Sequence, residues 1–478
     1  MTTRRYFIRT FGCQMNEHDS QRAAGVLETL GYRPAPDEDS ADLVLFNTCA
    51  VRENADSKLY GALGRLKPLK DDRPDLTIVV GGCLAQKDRG DIAERAPWVD
   101  VVYGTHNLVN LPALLAQADA QSLPVVEILE QIETFPSALP SKREVRHHAW
   151  VSISVGCNNT CSFCIVPALR GPERSRRIGE IVHEVQLLVA DGVIEVSLLG
   201  QNVNSYGRDL YGEAMFAELL RELGEIDGLE RVRFTSPHPR DFTVDVLEAM
   251  AEVPNVCEHL HLPLQSGSDR VLKAMRRSYR QRRYLDLVER ARTVVPGCAL
   301  TTDIIVGFPG ETEDDFAETL AVCDTVGFDQ AFTFQYSPRP GTDAATMADQ
   351  VDPDAVADRY ARLQAVTRGW SERRHHDLVG RDVEVLIESP SKTDPQRYSG
   401  RTRGNHLVHL PVGGGYAPGD LATVPVVEAA ANYVLAGPPI DVCRTSAGRA
   451  TEAAIAAGDG WTVQRVEALG PTLPLVPA

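Results

Sequence analysis

The sequence predicts an α/β protein with three successive regions: a doubly wound parallel sheet, a partial (β/α)6 barrel and a small β-barrel. Strand-like and helix-like segments alternate over residues 1–120 and again over residues 143–373, and such alternation implies parallel strands joined by helices. Over residues 374–440 the helical patterns stop, and short strands are separated by Gly, Pro and Asp. Residues 441–478 are predicted to form a flexible tail, because Ala, Gly, Pro and Thr dominate there.

In the first region, helical segments separate three predicted strands, which are RYFIRTFG, ADLVLFNT and LTIVVGG. A cysteine lies at or just past the carboxyl end of each strand, namely Cys13, Cys49 and Cys83. Open α/β sheets bind ligands at this edge. We therefore expect the three thiols to converge as ligands of one metal site. The alternative is that they are unrelated core residues, since small residues are common at strand ends.

Residues 117–142 are rich in Ala, Gln, Ser and Pro and are predicted to be a linker. The predicted strands of the second region are VSISV, EVSLLG, RVRFTS, HLHLPLQ, LTTDIIVGF and QAFTFQY. In barrels of parallel strands the chemistry lies at the carboxyl ends of the strands. The predicted strands of the third region are DVEVLIES, NHLVHLPV and DLATVPVV, which favour a barrel of the oligonucleotide-binding kind.

The charge is unevenly distributed. A formal net charge of −17 argues against indiscriminate binding of nucleic acid. However, the segment Arg270–Arg283 contains seven basic residues and no acidic one, and RGPERSRR and RGWSERRHH are also basic. These patches indicate either selective docking of a folded nucleic acid or ordinary solvated helix faces. No apolar run is long enough to span a membrane, and the first residues do not resemble a secretory signal, so we expect a cytoplasmic location.

Three more cysteines, Cys157, Cys161 and Cys164, follow the first strand of the second region in the spacing Cys-x3-Cys-x2-Cys. Closed zinc sites need four ligands and usually pair two CxxC units, whereas this loop contains one. A thioredoxin-like CxxC would leave Cys157 unexplained. Three thiolates can instead hold three irons of a four-iron cluster and leave the fourth iron open for a ligand.

This loop resembles that of the radical S-adenosylmethionine (SAM) superfamily. The resemblance implies that the open iron chelates SAM and that one electron from the cluster cleaves SAM to a 5′-deoxyadenosyl radical. Within the superfamily, the chain is similar to the methylthiotransferases from about Arg4 to Leu435. The motifs that carry this similarity are TFGCQMNEHDS, NTCAVRENA, VGGCLAQ, GCNNTCSFCIVPALRG, LLGQNVNSYG, RFTSPHPRDF, LPLQSGSDRVLKAMRRSY and TDIIVGFPGETEDDF.

The resemblance implies a second four-iron cluster on Cys13, Cys49 and Cys83, which supplies sulfur that a second SAM methylates. It also implies that the last region is a TRAM domain. Gln14 stands where members acting on a ribosomal protein or on threonylcarbamoyl-adenosine usually carry lysine, so the chain resembles the tRNA branch, which methylthiolates C2 of N6-isopentenyladenosine at position 37. Leu169 departs from the threonine of many members. The alternatives are another tRNA adenine, a ribosomal protein residue, or a non-enzymatic iron–sulfur or zinc RNA-binding protein.

In this family frame, strand-end residues become candidates for binding SAM, although alone they would be ordinary turns; they are Gln201, Asn202, Ser236, Gln265, Gly307 and Gly310. Arginines near the cysteine loop and in the basic segment become candidates for binding RNA phosphates; they are Arg170, Arg174, Arg176, Arg177, Arg276 and Arg277. The expected partners are the anticodon loop of tRNA and a one-electron donor such as flavodoxin or ferredoxin. The expected state is a monomer.

Overall fold

The computed structural model describes residues 3–50, 55–121, 123–130 and 139–456. Part of the NTCAVRENA motif, the middle of the predicted linker and the end of the predicted tail, LGPTLPLVPA, lie outside the described residues. No helix in the described ranges combines the length and the apolar character needed to cross a membrane.

The first region is a parallel sheet. Its strands are β1 (Arg5–Thr10), β2 (Arg33–Pro34), β3 (Leu43–Thr48), β4 (Thr77–Gly82), β5 (Val101–Tyr103) and β6 (Val125–Glu127). Its helices are α1 (Gln14–Thr29), α2 (Ala55–Asp72), α3 (Cys83–Asp88), α4 (Asp91–Arg95) and α5 (Leu111–Ala120). The strand order is β2-β1-β3-β4-β5-β6, and a separate apolar core covers each face, as predicted for a doubly wound sheet.

The predicted linker is in part structured. Strand β6 lies inside it and pairs with β5, and Val125 is buried against α5 in one of the two cores. Further on, Lys142 N–H donates to the carbonyl of Gln21 on α1. The predicted linker 117–142 therefore contains the end of α5 and the short edge strand β6, which its Pro- and Ser-rich composition did not indicate.

The second region is a partial barrel. Its elements from β7 to β11 are β7 (His148–Ser152), β8 (Ser154–Val155), α6 (Val166–Arg170), β9 (Arg174–Ser175), α7 (Ile178–Ala190), β10 (Glu195–Leu199), α8 (Arg208–Tyr211), α9 (Phe216–Gly224) and β11 (Arg231–Phe234). The rest are α10 (Val244–Glu252), β12 (His259–His261), α11 (Asp269–Ala274), α12 (Gln281–Val294), β13 (Ala299–Val306), α13 (Glu313–Val326), β14 (Gln330–Gln335) and α14 (Pro353–His376). Short 3-10 turns lie at Val203–Ser205 and Asp343–Thr346 in this region and at Leu108–Asn110 in the first region.

Two parallel triplets, β7-β10-β11 and β12-β13-β14, form the barrel wall and are linked by a bridge between Val232 and Val256. Among the described residues β7 does not pair with β14, so the wall stays open as predicted. The predicted strand VSISV is split, because β8 leaves the wall and pairs antiparallel with β9. This detour starts the cysteine loop at the carboxyl end of β7.

The third region is a closed barrel. Its strands are β15 (Asp382–Pro390), β16 (Arg397–Thr402), β17 (Leu407–Pro411), β18 (Leu421–Ala429) and β19 (Val434–Ala436), and pairing of β15 with β18 closes it. The strand pairs are antiparallel except for β17 and β19, which run parallel. Strand β20 (Asp441–Cys443) adds to β18, and helix α15 (Ser446–Ala456) follows. The prediction of a tail from residue 441 was therefore wrong up to residue 456. The buried carboxylate of Asp420 fixes this end by accepting from Thr445 N–H and pairing with Arg444.

The β-barrel is attached at the amino-terminal ends of the partial barrel's strands. Arg231 and Arg233 of β11 donate to main-chain carbonyls at the end of β16 and in the residue that follows it. In return, Arg403 donates to Glu258, which directly precedes β12. The β-barrel and the cysteine loop therefore lie at opposite ends of the parallel strands.

Candidate metal and cofactor site

Cys13, Cys49 and Cys83 converge as the strand pattern predicts. They follow β1, β3 and β4 at the carboxyl edge of the sheet, and all three line one small cavity. Two glycines allow the close approach. Gly12 has a φ of +134°, and a Cβ there would lie 3.0 Å from Cys49 Cβ; Gly82 has a φ of +94°, and a Cβ there would lie 2.4 Å from Asn47 Oδ1. A side chain at either position would separate the strand ends.

Two buried amides fasten these strand ends. Asn16 Nδ2 donates to the carbonyl of Thr48 at 2.9 Å, and Asn47 Nδ2 donates to the carbonyl of Asn16 at 2.7 Å. Cys13 Sγ–H donates to Asn16 Oδ1 at 3.3 Å. Sequence reasoning did not single out either asparagine, although both stand beside cysteines within the motifs TFGCQMN and NTC.

The second triad sits in the loop after β8. Cys157 and Cys161 are buried and Cys164 is half-buried. Cys157 N–H donates to the carbonyl of Gly171, and Asn159 N–H donates to Cys157 Sγ at 3.4 Å. The segment before α12 supports the other side of the loop, because Arg277 Nη1 donates to Cys161 Sγ at 3.4 Å.

One short helix, α6, separates the two triads. Cys49 and Cys83 pack with Ile165, Val166 and Leu169 in an apolar cluster that Cys164 also contacts. The carbonyl of Leu169 accepts a hydrogen bond of 2.8 Å from Thr105 Oγ1 of the first region. The side chains of Val166, Leu169 and Arg170 line the cavity of the first triad, so α6 begins beside one triad and ends inside the cavity of the other.

The buried thiols are better suited to binding a metal than to reacting as free nucleophiles. Burial raises the pKa of the Cys13 thiol, raises that of Cys157 to about 11 and raises that of Cys164 to about 12. Buried thiolates without a counter-charge are unfavourable, and a bound metal supplies that charge and displaces the protons.

Within the described ranges, no three His, Cys, Asp or Glu side chains are grouped so that they could hold a single metal ion. A four-iron cluster takes its thiolates on different irons, so its ligands stand around a volume rather than around one point. The two triads therefore suit a cluster in their donor type and their number.

The predicted SAM residues lie at strand ends on the side of the cysteine loop. Gln265 is fully buried, has a φ of +66°, and neither its Oε1 nor its Nε2 has a hydrogen-bond partner in the described part of the chain. Ser236 has a φ of +60°. Strained backbone and unpaired buried amides persist where a ligand uses them. Gly307 and Gly310 lie in the turn between β13 and α13.

Gln201 and Asn202 follow β10. Asn202 Nδ2 donates to Asp241 at 2.9 Å, whereas its Oδ1 and the Oε1 of Gln201 have no partner among the described residues. Gln201 also lines the cavity of the first triad. The neighbouring Asn204 is satisfied in both directions by the main chain of His238. The unpaired oxygens fit a ligand with N–H or O–H donors, such as an amino-acid head group.

The predicted RNA-binding arginines fall into two groups. Arg174, Arg177 and Arg276 are exposed. The other three are buried and have internal partners: Arg170 pairs with Asp19, Arg176 pairs with Glu184, and Arg277 contacts Cys161. Their burial contradicts the predicted phosphate contacts for Arg170, Arg176 and Arg277. The sequence could not separate the groups, because both occur in the same basic runs.

Comparison with known proteins agrees with this architecture. The radical SAM superfamily model matches residues 151–323, and the model described as uncharacterized protein family UPF0004 matches residues 5–104. Two solved structures of the radical SAM methyltransferase TsrM from Kitasatospora setae share the fold with TM-scores of 0.51 and 0.52 at 14% and 15% identity. They cover 72% of this chain and 75% and 77% of those chains.

Relatives that match nearly the whole chain carry one name, tRNA-2-methylthio-N(6)-dimethylallyladenosine synthase. That of Acidothermus cellulolyticus is 61% identical over 94% of this chain and 91% of its own. That of Thermobifida fusca is 58% identical over 94% and 92%, and that of Frankia alni is 59% identical over 96% and 95%. The chain is therefore a radical SAM enzyme, with SAM and 4Fe-4S clusters as cofactors. It belongs to the family of tRNA-2-methylthio-N(6)-dimethylallyladenosine synthases, the MiaB enzymes.

Proposed function

We propose that this protein methylthiolates C2 of N6-isopentenyladenosine at position 37 of tRNA, beside the anticodon. The names of the relatives give the substrate class. The observation that carries the proposal is the cavity that Cys13, Cys49 and Cys83 line together with α6. In the chain, α6 comes directly after the loop of the second triad, so the two triads lie close to each other. A sulfur source and a radical source in one enzyme need such adjacency.

The two triads divide the work. Cys157, Cys161 and Cys164 would hold one cluster and leave an iron open for SAM, and Cys13, Cys49 and Cys83 would hold the other. When bound, these groups supply a carbon radical that removes hydrogen from C2 of the adenine and a sulfur that replaces it. The protein's part is to bury both sites, keep water out and orient the ligands.

The polar residues at the strand ends would orient SAM. Gln265 offers an N–H donor and a carbonyl acceptor to the amino-acid head group, and Gln201 and Asn202 offer acceptors. Ser236 would bond a ribose hydroxyl, and the turn containing Gly307 and Gly310 would approach the adenine. These contacts follow from the family resemblance and from the unpaired atoms above.

The RNA contacts would be made by Arg174, Arg177 and Arg276 on the side of the cysteine loop and by the β-barrel at the opposite end of the strands. The anticodon loop is accessible because its bases can leave their stack at a cost of a few kcal/mol. We also propose that a flavodoxin or ferredoxin supplies electrons, that the enzyme is a cytoplasmic monomer, and that residues 1–120, 143–373 and 374–440 are its domains.

The test removes one triad at a time. Two clusters imply about eight irons per chain, so replacing Cys157, Cys161 and Cys164 together by Ala should halve the iron and abolish 5′-deoxyadenosine formation. Replacing Cys83 alone by Ala should keep deoxyadenosine formation and lose the methylthio product. Mass spectrometry of tRNA nucleosides, with and without each variant in a deletion strain, measures the product. Normal methylthiolation by Cys83→Ala would contradict the proposal.

A further inference from the structure

Arg170 belongs to the second region, but its positive charge lies in the cavity of the first triad. It is the last residue of α6, its exposure is only 7%, and it lines the cavity with Cys13, Cys49 and Cys83. Its Nη2 lies 3.7 Å from Cys83 Sγ and 3.1 Å from a carboxylate oxygen of Asp19 on α1.

The surroundings make this contact strong. The cavity walls on the α6 side are the apolar Val166 and Leu169, so little competes with the guanidinium for the sulfur. A hydrogen bond from a charged donor in a buried setting is stronger than a neutral one. Asp19 holds the guanidinium in place and offsets part of its charge.

We propose that Arg170 is a positioning residue of the first triad: its guanidinium holds the Cys83 sulfur toward the cavity and raises the reduction potential of the cluster bound there. Reduction adds one electron and therefore one negative charge, which a nearby cation and a hydrogen bond to sulfur stabilise. This inference rests on the proposed role of Cys13, Cys49 and Cys83 as cluster ligands.

Asp19 allows a second test of the proposal, in which the reduction potential should shift in the opposite direction. Asp19→Asn removes a negative charge next to the guanidinium while the hydrogen bond to Cys83 stays available, so the potential should rise. Arg170→Met removes the cation and the donor, so the potential should fall. If Arg170 only joined the two regions through Asp19, both substitutions would break the same link and shift the potential in the same direction.

The experiment uses full-length protein with Cys157, Cys161 and Cys164 replaced by Ala, so that only the first cluster is present. It is reconstituted anaerobically, its iron is counted, and its cluster is titrated with dithionite and followed by EPR. Arg170→Met should lower the reduced-to-oxidised ratio at a fixed potential about tenfold, which is about 59 mV for a one-electron couple. Arg277→Met is the matched control, because it removes a buried arginine from beside the other triad, whose Cys161 is already Ala in this protein, and it should leave the potential unchanged.

Each of the following outcomes supports or overturns the inference. Full iron with an unchanged potential in Arg170→Met overturns the inference, as does a fall in Asp19→Asn. If Arg170→Met fails to hold iron, the Asp19→Asn variant decides by itself: a rise supports the inference and no change overturns it. A parent protein without any iron would instead contradict the assignment of the first triad as cluster ligands.

Discussion

Replacing Arg233 by Met should loosen the β-barrel from the catalytic region. Arg233 is nearly buried, and its guanidinium donates to the carbonyl of Thr402 at 2.7 Å, to the carbonyl of Arg403 at 2.9 Å and to the carboxylate of Glu195 at 2.9 Å. Methionine keeps much of the apolar stem and removes every donor. The variant therefore leaves a buried carboxylate and two carbonyls without their main partner.

The expected loss is about 3 kcal/mol. Breaking a buried ion pair by removing one partner typically costs about 3–5 kcal/mol. The pKa of Glu195 points in the same direction: burial alone would raise it, but its neighbours, with Arg233 first and Arg231 next, outweigh burial and hold it at about 2, against an ordinary value of 4.5. That difference corresponds to about 3 kcal/mol. Arg231 remains 3.8 Å from the carboxylate and supplies the smaller part.

The loss should depend on pH. The stabilisation from ionised Glu195 is complete above its unfolded-state pKa of 4.5 and is lost as the pH falls toward the folded-state value of about 2. Wild type and Arg233→Met should therefore differ most near neutral pH, and the difference should narrow as the pH falls below about 5. A protonated Glu195 no longer needs a buried cation.

Hydrogen exchange followed by mass spectrometry measures the effect locally. Protection of the amides between β16 and β17 should fall by about a hundredfold, the equivalent of about 3 kcal/mol. Arg221→Met is the matched control, because this more exposed arginine pairs with surface acids on α10, and its loss should cost less than about 1 kcal/mol. Adding Glu195→Gln to Arg233→Met should recover part of the loss. Unchanged protection in Arg233→Met, or no recovery in the double variant, would refute the reasoning.

Two further predictions concern ligands. Gln265→Met should leave the ligand-free protein as stable as wild type or up to about 1 kcal/mol more stable, because it removes two unpaired buried polar atoms; calorimetry should nevertheless show SAM affinity lowered at least tenfold, and an unchanged affinity would contradict the role of Gln265. Replacing exposed Arg174, Arg177 or Arg276 by Ala should weaken tRNA binding and lower the slope of log affinity against log salt by about 1 each. Arg221→Ala should leave that slope unchanged.

The cysteines could be predicted from the sequence, but the roles of the arginines could not. Strand-end position is a one-dimensional property, so the convergence of Cys13, Cys49 and Cys83 followed from the βα repeat alone. Whether an arginine reaches solvent depends on what packs over it. Arg174 and Arg176 stand two residues apart, a spacing that in a continuous strand would put both side chains on one face. Only Arg174 is exposed, because β9 ends at Ser175 and the Arg176 guanidinium packs inward against Glu184 and the carbonyl of Ser152.

Departures from the predicted fold have a similar cause. The edge strand β6 and the strand β20 are each three residues long, and such segments are stabilised by pairing with a neighbour rather than by their own propensity. Composition suggested a linker in one place and a tail in the other. In both places a few long-range hydrogen bonds decided the outcome.

By itself, the sequence determined the order of the three regions, the two cysteine triads and the chemistry that thiolates at those spacings support, because periodicity and ligand type are local properties. Only the tertiary structure decided that α6 lies between the triads, that Arg170 and Arg277 each contact a cysteine sulfur, and that the β-barrel docks at the far end of the strands. These facts arise from contacts between residues dozens to hundreds of positions apart, and the free energy of such contacts depends on burial and geometry that no local pattern contains.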